Sequence, residues 1–81
     1  MNWISVKDRL PTKEESLEEE FIVTAEVKLN GKTLRENYYE IRYNENGWYE
    51  YDREYAIKIP IERSNVKVIA WAFPPEPYQG E

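Results

Sequence analysis

Apolar side chains recur at every second position from residue 21. Phe21, Val23, Ala25, Val27 and Leu29 alternate with Ile22, Thr24, Glu26 and Lys28, the period of a half-buried β-strand. Asn30-Gly31 follows at once, and both residue types accept positive φ, which predicts a two-residue type I′ hairpin turn. A second strand then runs from Lys32 to about Tyr43, with Leu29 opposite Lys32, Val27 opposite Leu34 and Val23 opposite Tyr38. The pairing contains a conflict. Leu34 and Tyr38 share the first strand's apolar face, but so would Glu36 and Glu40, whereas Tyr39, Ile41 and Tyr43 have the opposite parity. One extra residue near Asn37-Tyr38 resolves it, because a bulge switches the face of every later side chain. Partial cover on both faces of the sheet is the alternative.

Asn44-Glu45-Asn46-Gly47 is the next turn, again ending in Asn-Gly. Trp48 to Tyr51 follow as a third strand, antiparallel to the second. Tyr55, Ile57, Ile59 and Ile61 continue a strand-like alternation, but Pro60 demotes that segment to an edge. Arg63-Ser64-Asn65 is a polar turn. Val66 to Phe73 is apolar at nearly every position, which predicts a central strand covered on both faces. Pro74-Pro75-Glu76-Pro77 ends regular pairing and favours an extended tail over 74–81, with Gly80-Glu81 frayed. At the other end Thr12 stands three residues before Glu15, the spacing of a capping box, so residues 12–19 form a short helical turn or an ordered loop. The expected fold class is α+β to mainly β: a single domain over 1–81, with one small antiparallel sheet of four to five strands and a short helical turn near 12–19.

Composition narrows the chemistry. The 81 residues include no cysteine and no histidine, which excludes disulfide staples, ordinary zinc sites and histidine- or cysteine-based catalytic groups. Trp 3, Tyr 7 and Phe 2 make an aromatic excess for so small a chain. Trp3, Leu10 and Pro11 near one end and Trp71, Phe73 and Pro74 near the other are bulky, stiff groups that would join the termini by packing on one another. Sixteen acidic residues against eleven basic give a net charge of −5, so direct nucleic-acid binding is not expected. The longest apolar run, Val68 to Phe73, is far shorter than a membrane span. With no signal-peptide pattern at Met1-Asn2-Trp3-Ile4-Ser5, residence in the cytoplasm is expected.

The opening Trp3-Ile4-Ser5-Val6-Lys7-Asp8-Arg9-Leu10-Pro11 and the closing Val68-Ile69-Ala70-Trp71 with Pro74-Pro75-Glu76-Pro77 resemble a small phage- and prophage-borne family, domain of unknown function 551. Its members look like W-I-x-V-x-x-R-L-P at the start and end in V-T-x-W followed by P-L-P-E-P, with a Gly-Trp turn between, matched here by Gly47-Trp48. Two departures stand out. Ala70 takes the place of a common histidine, and Ala72-Phe73 that of a common Met-Pro. The resemblance implies a small antiparallel domain carried by a bacterial virus or prophage and resident in the bacterial host cell. It implies no activity.

Two groups of residues remain as candidates for partner binding. Glu14, Glu15, Glu18, Glu19 and Glu20 form an acidic run that reads as a solvated face, or as an acidic mimic of a nucleic-acid backbone. Tyr38, Tyr39, Tyr43, Tyr49, Tyr51 and Tyr55, with Trp48 among them, cannot all enter one core, since Tyr49 and Tyr51 oppose Trp48 by strand parity. The surplus rings form cross-strand aromatic ladders or an exposed patch like the anchors of protein interfaces, with Tyr38, Trp48, Tyr49 and Tyr51 as the partner-binding candidates. Carboxylate pairs such as Glu50 and Asp52 carry no specific signal, and Lys58 and Lys67 have no activating neighbour in sequence. No catalytic residue, metal or cofactor is expected. The expected function is a non-catalytic phage or prophage accessory protein that binds a host or viral protein, inhibiting a host defence system in the manner of an acidic, anti-CRISPR-like mimic. A small-ligand module with an apolar pocket near the two termini is the alternative, and an exposed strand edge would permit a homodimer.

Overall fold

The computed structural model describes residues 1–77 and Gly80; of the expected extended tail, Tyr78, Gln79 and Glu81 lie outside the described residues. Its elements are β1 (Ile4–Ser5), α1 (Lys13–Glu18), β2 (Phe21–Leu29), β3 (Lys32–Asn44), β4 (Gly47–Asp52), β5 (Ile57–Pro60) and β6 (Val66–Ala72). All pairings are antiparallel and join one six-stranded sheet in the order β1-β6-β2-β3-β4-β5. The mainly-β expectation holds, but not its detail. The two-residue β1 and the short β5 raise the sheet above four to five strands, and a regular six-residue helix stands where a helical turn or loop was expected.

The first hairpin pairs as its alternation dictates. Asn30 and Gly31 turn at φ 51° and 76°, and Leu29 faces Lys32, Val27 faces Leu34 and Val23 faces Tyr38. The parity conflict is resolved by a bulge one to two residues beyond the expected position. Val23 pairs with Tyr38 but Phe21 pairs with Ile41, so β3 carries an extra residue at Tyr39-Glu40, and Glu40 sits at φ 56°. Before the bulge Tyr38 packs on the core; beyond it Ile41 and Tyr43 do. Tyr39, expected to share their face, is left 63% exposed.

A second bulge explains the apolar run of β6. Thr24 pairs with Ala70 and Ala25 with Val68, leaving Ile69 extra. Val66, Val68 and Trp71 thereby all face the core, while Lys67 is exposed. The expectation of a strand covered on both faces is therefore corrected: second-face burial among the pairs of β2 and β6 is confined to Ile22 and Ala72, which lie opposite each other.

The long β3 belongs to both halves of the sheet, pairing with β2 up to Ile41 and with β4 from Arg42 onward. The sheet curls between these halves, bringing Trp48 of β4 to 6.0 Å from Phe21 and 6.2 Å from Trp71, ring centre to ring centre. Phe21 meets Trp71 edge-on at 5.2 Å, a geometry that aligns ring edges with π faces. The N-terminal segment closes over this cluster. Val6 N–H donates to the Ile69 carbonyl at 3.1 Å, the Trp71 indole N–H donates to the Arg9 carbonyl at 3.0 Å, and the Arg9 guanidinium lies 4.9 Å over the Trp71 ring. The termini do join, but not through Trp3 or Leu10, which are 40% and 44% exposed. Ile4, Val6 and the buried Pro11 close the core instead.

Two stability changes follow. Replacing Glu40 with Val forces a β-branched residue into the left-handed region and should cost about 1–2 kcal/mol, whereas Glu40→Gly should be neutral or stabilising; equal midpoints in denaturant unfolding would remove the bulge from Glu40. Trp71→Phe should cost about 1–3 kcal/mol through lost volume and an unpaired Arg9 carbonyl.

Candidate functional site

Helix α1 is set by its own first turn. Thr12 stays extended at φ −71°, ψ 164° and its hydroxyl accepts from the Glu15 N–H at 3.1 Å, while the Glu15 carboxylate accepts from the Thr12 N–H at 2.8 Å. Glu15 also receives both terminal nitrogens of Arg9 at 2.8 and 3.2 Å. These bonds hold its carboxyl at about 2, well below the ordinary 4.5; the Arg9 side-chain bonds contribute most and the Thr12 amide next. Glu15 is therefore a structural joint between the N-terminal segment and the helix rather than an open binding group.

The helix ends at Glu18, and Glu19 returns to extended backbone at φ −119°, ψ 148°. That reversal delivers Glu19 and Glu20 to the start of β2. Across the sheet, the β3 bulge turns Tyr39 and Glu40 toward the same place, and Pro74-Pro75 leave β6 beside it. The result is an open groove of about 480 Å³, lined by Glu18, Glu19, Glu20 and Glu40 around Tyr39, Ile22 and the two prolines. Arg42 lies within it, its Nε 3.5 Å from a Glu20 carboxylate oxygen. This is an ion pair without hydrogen-bond geometry, and that Nε is buried without a hydrogen-bond partner. The groove thus carries four carboxylates against one guanidinium. Among the described residues, no group of three or more acidic side chains could hold a metal ion. The carboxylates are spread along the walls, an arrangement that suits extended cationic side chains.

Of the residues singled out in the sequence, Glu18, Glu19 and Glu20 come together in this groove, Glu14 is exposed and Glu15 is consumed by Arg9 and Thr12. The aromatic candidates are not brought together. Trp48 is a core residue, 4% exposed. Tyr38 is half-buried against the core, and its hydroxyl donates to Glu36 at 3.2 Å; burial first, then Glu36, raises its pKa. Tyr49 lies on the opposite face, with the Lys58 ammonium 5.2 Å from its ring centre, and Tyr51 shares that face, exposed. Glu40, Pro74 and Pro75 are not among the candidates singled out in the sequence, and Tyr39, one of the surplus rings, is not among those chosen for partner binding. The parity conflict at residues 36–40 was the signal for Tyr39 and Glu40, since a bulge re-aims the side chains it carries. Near the termini, an open groove of about 390 Å³ is bounded by Met1, Asn2, Phe73 and Pro75, and neither Trp3 nor the fully buried Trp71 lines it. No helix among the described residues is long and apolar enough to cross a membrane.

Comparison with protein-family models, with curated proteins and with solved structures returns no match.

The depressed carboxyl of Glu15 fixes a pH dependence. Its stabilisation is fully present above the unfolded value near 4.5 and is lost as pH falls toward about 2. Glu15→Gln should therefore lower thermal stability at neutral pH and flatten the acid limb of a melting-temperature profile between those two values. A variant whose acid limb parallels the wild type would place the titrating group elsewhere.

Proposed function

We propose that this chain is a non-catalytic accessory protein of a phage or prophage that binds a basic region of a host or viral protein in the groove between α1, the β3 bulge and Pro74-Pro75. The observation that carries the reading is the grouping of Glu18, Glu19, Glu20 and Glu40 around the exposed Tyr39 ring. Carboxylates there attract a lysine or arginine, and the ring and prolines offer an apolar and cation–π surface to its stem. The net charge of −5 adds a long-range field that speeds encounter with a basic partner and discourages phosphate backbones. The phage or prophage setting comes from the resemblance of the two ends to domain of unknown function 551. In that setting, occupying the nucleic-acid-binding surface of a host defence protein is the use that acidic mimicry serves.

The test is an amide-resolved NMR titration with an arginine-rich peptide. Shifts should concentrate at residues 18–22 and 39–42, and affinity should fall with salt as screening shortens the reach of the carboxylates. Glu18→Lys with Glu19→Lys, whose side chains take no part in the Thr12–Glu15 capping box, should weaken binding by about tenfold or more, equivalent to about 1.4 kcal/mol. Shifts confined to other surfaces, or an unchanged affinity in the double variant, would overturn the assignment.

A further inference from the structure

The core face of the sheet does not end where the core ends. Tyr49 pairs with Pro60, Glu50 with Ile59 and Asp52 with Ile57, and directly paired residues share a face. Trp48 and Ile61, joined by the Ile61 N–H to Trp48 carbonyl bond at 3.0 Å, therefore begin a surface that continues through Glu50, Ile59, Asp52 and Ile57. Burial fades along it: Ile61 is 6% exposed, Ile59 37% and Ile57 50%. Helix α1 packs against β3 and the N-terminal segment against β6, so among the described residues no further element packs extensively on the outer half of the β4–β5 hairpin. The hairpin is nonetheless ordered at its tip. Asp52 accepts from the Glu54 and Tyr55 N–H groups at 2.9 and 3.2 Å, and Ala56 takes φ 53°. Two aliphatic side chains thus stand in a column beside two carboxylates.

We infer that this face of the β4–β5 hairpin is a second docking surface, and that its occupant is a basic amphipathic helix of a partner protein. Three features select that occupant. The acidic column complements lysine or arginine, and neither Glu50 nor Asp52 is in an ion pair among the described residues. The same column opposes self-association, since a symmetric dimer through this face would bring two copies of Glu50 and Asp52 into one interface with no basic side chain on the face to offset them. The edge beside it is closed to an added strand: β5 carries Lys58 and Pro60, a charged edge residue and one without an N–H. An extended peptide lying over the face would leave its backbone groups unpaired, whereas a helix satisfies its own. The spacing also fits. Ile57 and Ile59, two residues apart on a strand, are separated by about 6.7 Å, close to the roughly 6 Å rise between positions i and i+4 of a helix. This surface is independent of the acidic groove and stands if that reading fails.

The probe is a synthetic helical peptide of about 18 residues, long enough to hold helix when docked, with a leucine stripe flanked by lysines. A scrambled peptide of equal composition serves as control. Amide shifts should map to residues 48–61, and the scrambled peptide should bind about tenfold more weakly. Ile57→Ser with Ile59→Ser should reduce affinity at least tenfold while the chain remains folded with a melting temperature lower by about 10 °C or less, because both side chains are already partly exposed. Glu50→Lys should weaken binding without touching the apolar column, and Glu18→Lys with Glu19→Lys should leave these shifts in place. Unchanged affinity in the isoleucine or Glu50 variants, equal binding of both peptides, or a concentration-dependent dimer that the isoleucine variant abolishes would each overturn the proposal.

Discussion

Everything in this domain depends on the burial of Trp71. It is fully enclosed, it meets Phe21 and Phe73 edge-on at 5.2 and 5.4 Å, and its one polar atom is bonded to the Arg9 carbonyl. A chain of this size with no disulfide has little area to bury, and a tryptophan contributes more of it than any other side chain. The indole also fixes where the N-terminal segment lies. Arg9 covers its ring and reaches Glu15, and Glu15 caps the helix that ends at Glu18. A line of contacts therefore runs from the core through one carboxylate to the start of the acidic groove.

The two bulges are the second constraint. A single sheet can close a core only if it curls, and places where one strand carries an extra residue sharpen that curl. The chain has one at Tyr39-Glu40 and one at Ile69. The first frees Tyr39 and Glu40 for the groove and hands the core face to Ile41 and Tyr43. The second lets Val68 and Trp71 face the same way. Packing and surface chemistry are thus set by the same two backbone irregularities. Glu62 adds a smaller clamp, its carboxylate accepting from the Val68 N–H at 3.1 Å.

Where the curl stops, the surface changes character. Trp48 and Ile61 are the last pair of the core, and beyond them the β4–β5 hairpin shows aliphatic and acidic residues side by side. The sheet's two ends are treated differently. β1 is only two residues long, and β5 is guarded by Lys58 and Pro60. Both are devices that limit strand addition, which argues against the edge-to-edge homodimer suggested by an exposed strand. Recognition by side chains on faces, rather than by backbone at edges, fits this design.

Local order was legible in the residues themselves. The alternation from Phe21 to Leu29, the Asn30-Gly31 turn, the Thr12–Glu15 capping box and the need for a bulge in β3 all rest on interactions within a few residues or across one hairpin, and such interactions leave a periodic or spaced trace. The fate of the tyrosines, the partition of the glutamates and the role of Trp3 left none. Trp48 became core because the curl carried it to Trp71, twenty-three positions along the chain by numbering. Glu15 became structural because Arg9 turned to meet it, and Glu18, Glu19 and Glu20 became a wall because a bulge brought Glu40 and Tyr39 opposite. Those outcomes depend on which face survives each bulge and how far the sheet bends, and only long-range packing of the rings determines both.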